Sequence, residues 1–234
     1  MVREGDLCYL IPKKSITDKA IILDLDETCV HTAEEKEKMT KTILNNPNLD
    51  GDIYTLELDD GDFKAWGTKR PHLDEFLLFC FTYFKHVCVW SAGQKDYVHA
   101  IVDIIFEQFR DPYIVFTFDD CVQNEEGDWI KPLSKFFEHP KAKGLITPEN
   151  TLIIDDRDYT FERNKGNGVL IPPYAPKNSR EIKKEDNHLH RLRGWLMCES
   201  CRFCDDVSEI RKERIFKQKP ETYSEKLSEE CNLR

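Results

Sequence analysis

The sequence lacks a long apolar run. Its longest, residues 76–84, is interrupted by Thr82 and is far shorter than the roughly 20 residues that span a bilayer. The first residues, which include Glu4 and Asp6, have no apolar stretch typical of a signal peptide. The nine cysteines are odd in number, and without a secretory signal we expect reduced thiols. We therefore predict no membrane segment and a location in the cytoplasm or nucleus.

An excess of positive charge is also missing. The chain of 234 residues has 34 Lys and Arg against 44 Asp and Glu, a formal net charge of −10. This balance disfavours broad electrostatic binding to nucleic acid, although it leaves room for a local basic groove.

Short apolar runs alternate with longer amphipathic segments, a pattern that predicts βα units around a parallel sheet. The run Ala20–Leu23 is unbroken and β-prone, as expected for a strand covered on both faces. Apolar periodicity predicts helices over residues 71–84 and 94–109. Further strands are predicted at residues 86–90, 113–116, 151–154 and 168–171. We predict an α/β fold of three layers with a central parallel sheet.

A β-hairpin insertion is predicted at about residues 51–68, where two β-prone runs flank the acidic turn Asp59-Asp60-Gly61-Asp62. The spacing between Asp26 and Ser91 leaves room for this hairpin but not for a lid domain. A site without a lid is open to bulky substrates, which favours a phosphoprotein over a small metabolite.

The chain divides into three regions by composition. We predict an N-terminal extension at residues 1–18, one globular domain at 19–200 and a charged tail at 201–234. Weak helical periodicity after Asp205 predicts a surface helix in that tail.

Two acids follow the first predicted strand, in Asp24-Leu25-Asp26-Glu27-Thr28. Ligands of open α/β sheets bind beyond the carboxyl ends of the strands, and residues i and i+2 of a strand point the same way. Two adjacent carboxylates repel unless a cation or shared proton neutralises them. Mg²⁺ suits this arrangement because it binds one or two carboxylates plus a substrate phosphate. The alternative is a polar turn, which would be the commoner explanation of a lone Asp-x-Asp.

Three further features follow in order. Ser91 stands at the end of a predicted strand, where its hydroxyl can meet a phosphate oxygen. The ammonium of Lys131 can neutralise a transferring phosphoryl group. Asp155 and Asp156 close another strand and can supply the remaining metal ligand. Each is commonplace alone, and it is the ordered set that predicts a phosphate and metal site.

These motifs, in this order, resemble those of the haloacid dehalogenase-like (HAD) phosphohydrolases. Segments 23–32, 69–77, 90–93 and 130–134 look like the landmarks of one branch, the FCP/SCP-type phosphatases with an NLI-interacting-factor-like domain. The resemblance spans about residues 20–196. It implies a HAD-like Rossmannoid fold, capless apart from the small β-hairpin insertion, in a CTD phosphatase-like enzyme that acts on phosphoserine or phosphothreonine in proteins.

The resemblance also implies catalytic roles. Asp24 would attack phosphorus and form an aspartyl-phosphate. Asp26 would donate a proton to the leaving oxygen and later accept one from water. Thr28 would help to hold the loop, and Ser91 and Lys131 would bind the phosphoryl oxygens.

The implied cofactor is Mg²⁺. Its ligands would be Asp24, the backbone carbonyl of Asp26 and Asp156. Asp155 would either join them as a ligand or pair with Lys131.

One feature of the branch is missing. The small CTD phosphatases carry a phosphate-binding Arg shortly before the position of Cys121, and residues 116–120 contain no basic side chain. Arg157, next to Asp156, can supply positive charge from another direction. This departure weakens the expectation of an RNA polymerase II C-terminal repeat as substrate and favours a different phosphoprotein or a basic sequence around the phosphosite.

Two other functions stay open. The first is a HAD phosphatase that acts on nucleic-acid ends, for which residues 177–193 offer a basic cluster interrupted by acids. The second is a non-catalytic binding module, which would predict the loss of Asp24, Asp26 or Lys131. Cys198, Cys201 and Cys204 could hold zinc, but ordinary thiols are the favoured interpretation because no fourth ligand is evident.

Overall fold

A computed structural model describes residues 7–34, 46, 49, 53–58, 61, 63–182 and 184–216. The strands in these ranges are β1 (Ala20–Leu23), β2 (Val30–Glu34), β3 (Ile53–Leu58), β4 (Phe63–Lys69), β5 (His86–Trp90), β6 (Val115–Phe116), β7 (Val122–Gln123), β8 (Trp129–Ile130), β9 (Thr151–Asp155) and β10 (Gly168–Leu170). The helices are α1 (Leu73–Tyr83), α2 (Lys95–Phe106), α3 (Ser134–Glu138), α4 (Ser179–Ile182), α5 (His188–Met197) and α6 (Glu199–Arg202).

The centre of the fold is a five-stranded sheet in the order β10-β9-β1-β5-β6. All of its pairings are parallel, with Leu23 opposite Val89 on one side and Ile154 on the other. Every residue of β1, β5 and β9 is buried, which explains why these strands read as unbroken apolar runs. The predicted α/β fold with a central parallel sheet is confirmed. The predicted strand at 113–116 is shorter, since only Val115–Phe116 pairs.

The insertion is larger than the predicted hairpin. β3 and β4 pair antiparallel as expected, and β2 adds a third strand on the other side of β4. Apolar periodicity does not reveal β2, because its buried and exposed positions do not alternate cleanly. Asp59, Asp60 and Asp62 of the acidic turn lie outside the described residues. Thr32 of β2 lines the cavity at the carboxyl ends of β1 and β5.

Helix α1 buries one face against the sheet, at Leu73, Phe76, Leu77, Cys80 and Tyr83. This spacing of three and four residues is the period that predicted the helix. Helix α2 begins after Gln94 as predicted but ends at Phe106 rather than at residue 109.

The segment after Asp205 contains no α-helix in its described part, so the predicted surface helix is wrong there. A single 3₁₀ turn, Val207–Glu209, is followed by turns up to residue 216. Val207 and Ile215 are buried in the main core cluster, and the Val207 N–H donates to the Glu149 carbonyl at 2.7 Å. Ile215, one of the three apolar residues behind the helical signal with Ile210 and Phe216, thus anchors an irregular segment together with Val207. Residues 1–6 and 217–234 of the two predicted terminal regions lie outside the described part, and the division of the chain at 18 and 200 stays a prediction.

Candidate active site

The candidate site lies at the carboxyl ends of the central strands. Asp24 follows β1, Ser91 follows β5, and Asp155 is the last residue of β9. Because β1 lies between β5 and β9, these three side chains meet at one edge of the sheet. A cavity of about 520 Å³ opens there, lined by Asp24, Asp26, Ser91, Lys131, Asp155 and Asp156. The structure thus brings the proposed phosphate and metal residues together.

Lys131 joins two of the strand-end acids. Its Nζ donates to Oδ1 of Asp24 at 2.6 Å and to Oδ2 of Asp155 at 2.7 Å. The lysine side chain is 2% exposed, so this ion pair is shielded from water. Burial alone would lower the pKa of Lys131, but the carboxylates of Asp155 and Asp24 outweigh burial and raise it. Lys131 therefore stays protonated and holds Asp24 in place.

The segment after β8 positions Lys131. Its backbone N–H donates to the Thr160 carbonyl at 2.6 Å, and Pro132 follows directly. The Leu133 N–H is then bound by the side chain of Asn164 at 2.9 Å. These contacts tie β8 to the 3₁₀ segment Asp158–Asn164 and aim the lysine inward.

Three carboxylates form a possible cation site. Ligand oxygens of Asp24, Asp155 and Asp156 all lie within 4.8 Å of one another. Burial and the neighbouring Asp155 carboxylate raise the pKa of Asp156 to about 6. A hard divalent cation such as Mg²⁺ fits this all-oxygen donor set, since it would relieve the repulsion among buried carboxylates. Both oxygens of Asp155 already accept hydrogen bonds, from Lys131 and from the Arg157 N–H, whereas Lys131 binds only Oδ1 of Asp24. Asp24 and Asp156 therefore have more oxygen atoms left for a cation.

The loop that carries Asp26 and Thr28 folds back on itself. Leu25 is fully buried, and its carbonyl accepts from the N–H groups of Cys29 and Val30 at 2.8 and 2.9 Å. Glu27 adopts a left-handed conformation with φ 56. Thr28 is fully buried, and its Oγ1 has no hydrogen-bond partner among the described residues, so its place is inside the loop and not in the cavity.

Arg70 clamps this loop from the end of β4. Its Nη1 donates to the carbonyls of Thr28 at 3.1 Å and Glu27 at 3.4 Å. On its other side it pairs with Asp186, with Nη2 and Oδ2 3.0 Å apart. The Arg70 side chain has no exposed surface. Sequence reasoning missed this role because the carbonyl partners can be recognised only in the folded chain.

Asp26 faces a row of hydroxyl groups. The Tyr97 hydroxyl donates to Oδ1 of Asp26, and Oη of Tyr97 lies 2.8 Å from Oγ1 of Thr32. Thr32 in turn lies 2.8 Å from Oη of Tyr54 on β3. Burial raises the pKa of Asp26, against the opposing effect of the Tyr97 hydrogen bond. The insertion sheet thereby contributes two residues to the surroundings of Asp26, which the sequence did not reveal.

The remaining wall of the cavity is aromatic and charged. Trp129 is 40% exposed and its ring lies 4.5 Å, centroid to centroid, from that of Phe118. Arg157, Tyr159 and Glu27 also line the opening.

The cysteine cluster does not converge. In the described part of the chain, Asp24, Asp155 and Asp156 are the only His, Cys, Asp or Glu side chains that form a group of three with metal-binding distances. Cys198, Cys201 and Cys204 are free thiols, and burial raises the pKa of Cys201 to about 12. Among the residues that the structure describes, these cysteines therefore form no group that could hold zinc.

Comparison with known proteins agrees with this fold and identifies the family. The candidate site lies at the carboxyl ends of a parallel sheet, where α/β folds of this kind bind their ligands. The family model "NLI interacting factor-like phosphatase" matches residues 19–208, and the chain belongs to this family.

Curated relatives carry related names. The chain is 26% identical over 175 residues to "CTD small phosphatase-like protein 2" of Dictyostelium discoideum, covering 74% of this chain and 27% of that protein. It is 28% identical over 159 residues to the human "CTD small phosphatase-like protein", covering 62% of this chain and 52% of that protein. The chain thus spans about a quarter to a half of these two relatives.

One solved structure supports the fold. The structure of Fcp1, described as an essential RNA polymerase II CTD phosphatase, has a TM-score of 0.51 and 18% identity, covering 92% of this chain and 64% of that one.

Within the described residues, no helix is both long and apolar enough to span a bilayer.

Proposed function

We propose that this chain is a Mg²⁺-dependent phosphomonoesterase that removes phosphate from phosphoserine or phosphothreonine in proteins. The observation that carries the proposal is the contact of Lys131 with Asp24 and Asp155 beside the acidic cluster, within the fold of a phosphatase family. Asp24, Asp26, Ser91, Lys131 and Asp156, to which the proposal gives roles, line one cavity, which supports it.

The first step is attack by Asp24 on phosphorus. Lys131 binds its Oδ1, so Oδ2 is the oxygen that forms the new P–O bond. The bond from phosphorus to the seryl or threonyl oxygen breaks, and Asp26 gives that oxygen its proton. Ser91 and Lys131 bind phosphoryl oxygens during the transfer. The product of this step is an aspartyl-phosphate on Asp24.

Water completes the reaction. Asp26, now a carboxylate, accepts a proton as water attacks phosphorus, and Asp24 leaves as a carboxylate. Asp24, the backbone carbonyl of Asp26 and Asp156 would hold Mg²⁺, with Asp155 as the partner of Lys131. When bound, Mg²⁺ offsets the negative charge of the phosphate and of the carboxylates around it.

The open cavity supports a protein substrate. The cavity reaches the surface at the exposed side chains of Trp129 and Arg157, so a phosphorylated side chain on a larger molecule can enter. A cytoplasmic or nuclear location accompanies this proposal, supported by the free thiols of the described cysteines.

Hydrolysis of an aryl phosphate, with and without Mg²⁺, tests the chemistry in wild type and Asp24→Asn. We expect activity only in the wild type with Mg²⁺. Full activity in Asp24→Asn would contradict the mechanism, and inactivity of the wild type toward both aryl phosphate and phosphopeptides would favour a binding module. Preferred hydrolysis of phosphorylated nucleic-acid ends would contradict the protein substrate.

A further inference from the structure

The cavity has a strong excess of negative charge. The carboxylates around it are Asp24, Asp26, Glu27, Asp128, Asp155 and Asp156, and the cations among its described residues are Lys131 and Arg157. A phosphate monoester is itself a dianion near neutral pH. One Mg²⁺ would offset only part of this excess, so a cationic side chain that reaches the incoming phosphate would favour its entry.

The Lys131 ammonium is not accessible at the cavity entrance. It is 2% exposed and already hydrogen-bonds two carboxylates. It can meet phosphate only at the bottom of the cavity, after the substrate has entered.

Arg157, unlike Lys131, is accessible from solvent. Its side chain is 53% exposed at the cavity wall. Its backbone is fixed beside the acidic cluster, because its N–H donates to Oδ1 of Asp155 at 2.9 Å. The guanidinium is thus held near the reacting groups while its N–H donors stay within reach of the opening.

The Arg157 guanidinium also has N–H groups that remain available to a phosphate. It donates to the hydroxyl of Tyr159 at 3.2 Å. Its closest approaches to Glu27 and Asp156, 3.7 and 3.9 Å, are longer than hydrogen bonds. Five N–H groups in a planar fork suit two phosphate oxygens at once.

We propose that Arg157 binds the substrate's phosphate group from the open side of the cavity. Arg157 and Lys131 then hold the phosphate between them, one at the entrance and one at the bottom. This inference rests on the proposed function and adds to it the residue that recognises the phosphate dianion.

Two measurements test the proposal together. The first is the KM and kcat of Mg²⁺-loaded wild type, Arg157→Ala and Arg157→Lys with an aryl phosphate. Loss of a charged hydrogen bond made equally to substrate and transition state should raise KM roughly tenfold or more in Arg157→Ala, with little change in kcat. Arg157→Lys should fall between, because an ammonium keeps the charge but not the fork.

The second measurement is binding without turnover. The affinity for a phosphoserine peptide is compared between Asp24→Asn and Asp24→Asn/Arg157→Ala by calorimetry. We expect a loss of about tenfold or more in the double variant. This comparison judges Arg157 even if the wild type hydrolyses nothing, so failure of the inference is distinct from failure of the proposed function.

Arg163→Ala is the matched control. Arg163 is also exposed, lies in the 3₁₀ segment Asp158–Asn164 that directly follows Arg157, and does not line the cavity. Thermal melting checks that each variant is folded. If Arg157→Ala changes KM and peptide affinity no more than Arg163→Ala does, the proposal is wrong.

Discussion

At the scale of single residues, Asp24 and Asp26 are separated by one residue and have different surroundings. Asp24 accepts a hydrogen bond from the protonated Lys131, whereas Asp26 accepts one from the neutral hydroxyl of Tyr97. Burial raises the pKa of both carboxyl groups, so the pKa alone does not separate their roles. The Lys131 ammonium opposes burial at Asp24 and favours its charged, nucleophilic form, whereas the neutral Tyr97 hydroxyl orients Asp26 for proton transfer. The two proposed roles therefore follow from the partners.

The role of Tyr97 can be tested through the leaving group. We expect Tyr97→Phe to lower kcat about tenfold for aryl phosphates with poor leaving groups, because Asp26 loses its orienting contact. Good leaving groups need no proton and should be hydrolysed almost normally. A series of aryl phosphates of different leaving-group pKa measures this. Tyr113→Phe, which removes a hydroxyl bound to the Lys141 carbonyl, is the control. An equal loss across the series would contradict the role.

Sequence reasoning reached the residues that follow strands. Asp24, Ser91 and Asp155 could be predicted to meet because parallel strands end at one edge of the sheet. Tyr97, Thr32 and Tyr54 could not, since they come from three separate elements whose meeting depends on tertiary packing.

At the scale of elements, the loop after β1 depends on β4. Arg70 directly follows β4, and its side chain donates to the carbonyls of Glu27 and Thr28 in the loop. It also pairs with Asp186, which precedes α5. Burial alone would raise the pKa of Asp186, but hydrogen bonds from His188 and Arg70 outweigh burial and lower it. The folded state therefore stabilises the ionised form of the Asp186 carboxyl group.

Asp186→Asn should lower the free energy of unfolding by about 2 to 3 kcal/mol at pH 7. A carboxyl whose folded pKa is depressed stabilises the fold above its unfolded pKa, near 3.9, and this contribution is lost as pH falls. The difference from wild type should therefore shrink below about pH 4. Urea unfolding over a pH series measures it.

Asp74→Asn is the matched control for this change. Asp74 pairs with Lys69 at 3.3 Å but its side chain is 45% exposed, so we expect an effect below about 1 kcal/mol. A difference between Asp186→Asn and wild type that does not vary with pH would contradict the assignment.

Long elements were predicted well and short ones were not. β1, β5, α1 and α2 have the burial that makes apolar periodicity readable. β7 and β8 have two residues each, too few for any period to appear, yet β8 positions Lys131. A turn joins the two strands, in which the Asn124 N–H donates to the Asp128 carbonyl at 2.9 Å.

At the scale of the whole molecule, the irregular segment after Asp205 belongs to the core. Two side chains of this segment, Val207 and Ile215, are buried in the core. Nζ of Lys212 donates to the Val207 and Ile210 carbonyls at 2.7 and 2.8 Å. The sequence indicated a solvated tail here because charged residues outnumber apolar ones. Two well-placed apolar side chains are enough to attach the segment.

Ile215→Ala should lower the free energy of unfolding by about 2 to 4 kcal/mol, because it leaves a cavity in the main core. Arg214→Ala, at an exposed neighbouring position, should change it by less than about 0.5 kcal/mol. Chemical denaturation of both variants makes the comparison. Equal stability of Ile215→Ala and wild type would show that the segment does not contribute to the core.

The proposed mechanism requires Asp24 to carry the phosphoryl group during turnover. Rapid acid quench of wild type with substrate and Mg²⁺, followed by proteolysis and mass spectrometry, measures this directly. We expect a phosphoryl group on the peptide that contains Asp24, and none in Asp24→Asn. A phosphoryl group on a different residue, or turnover by Asp24→Asn at the wild-type rate, would contradict it.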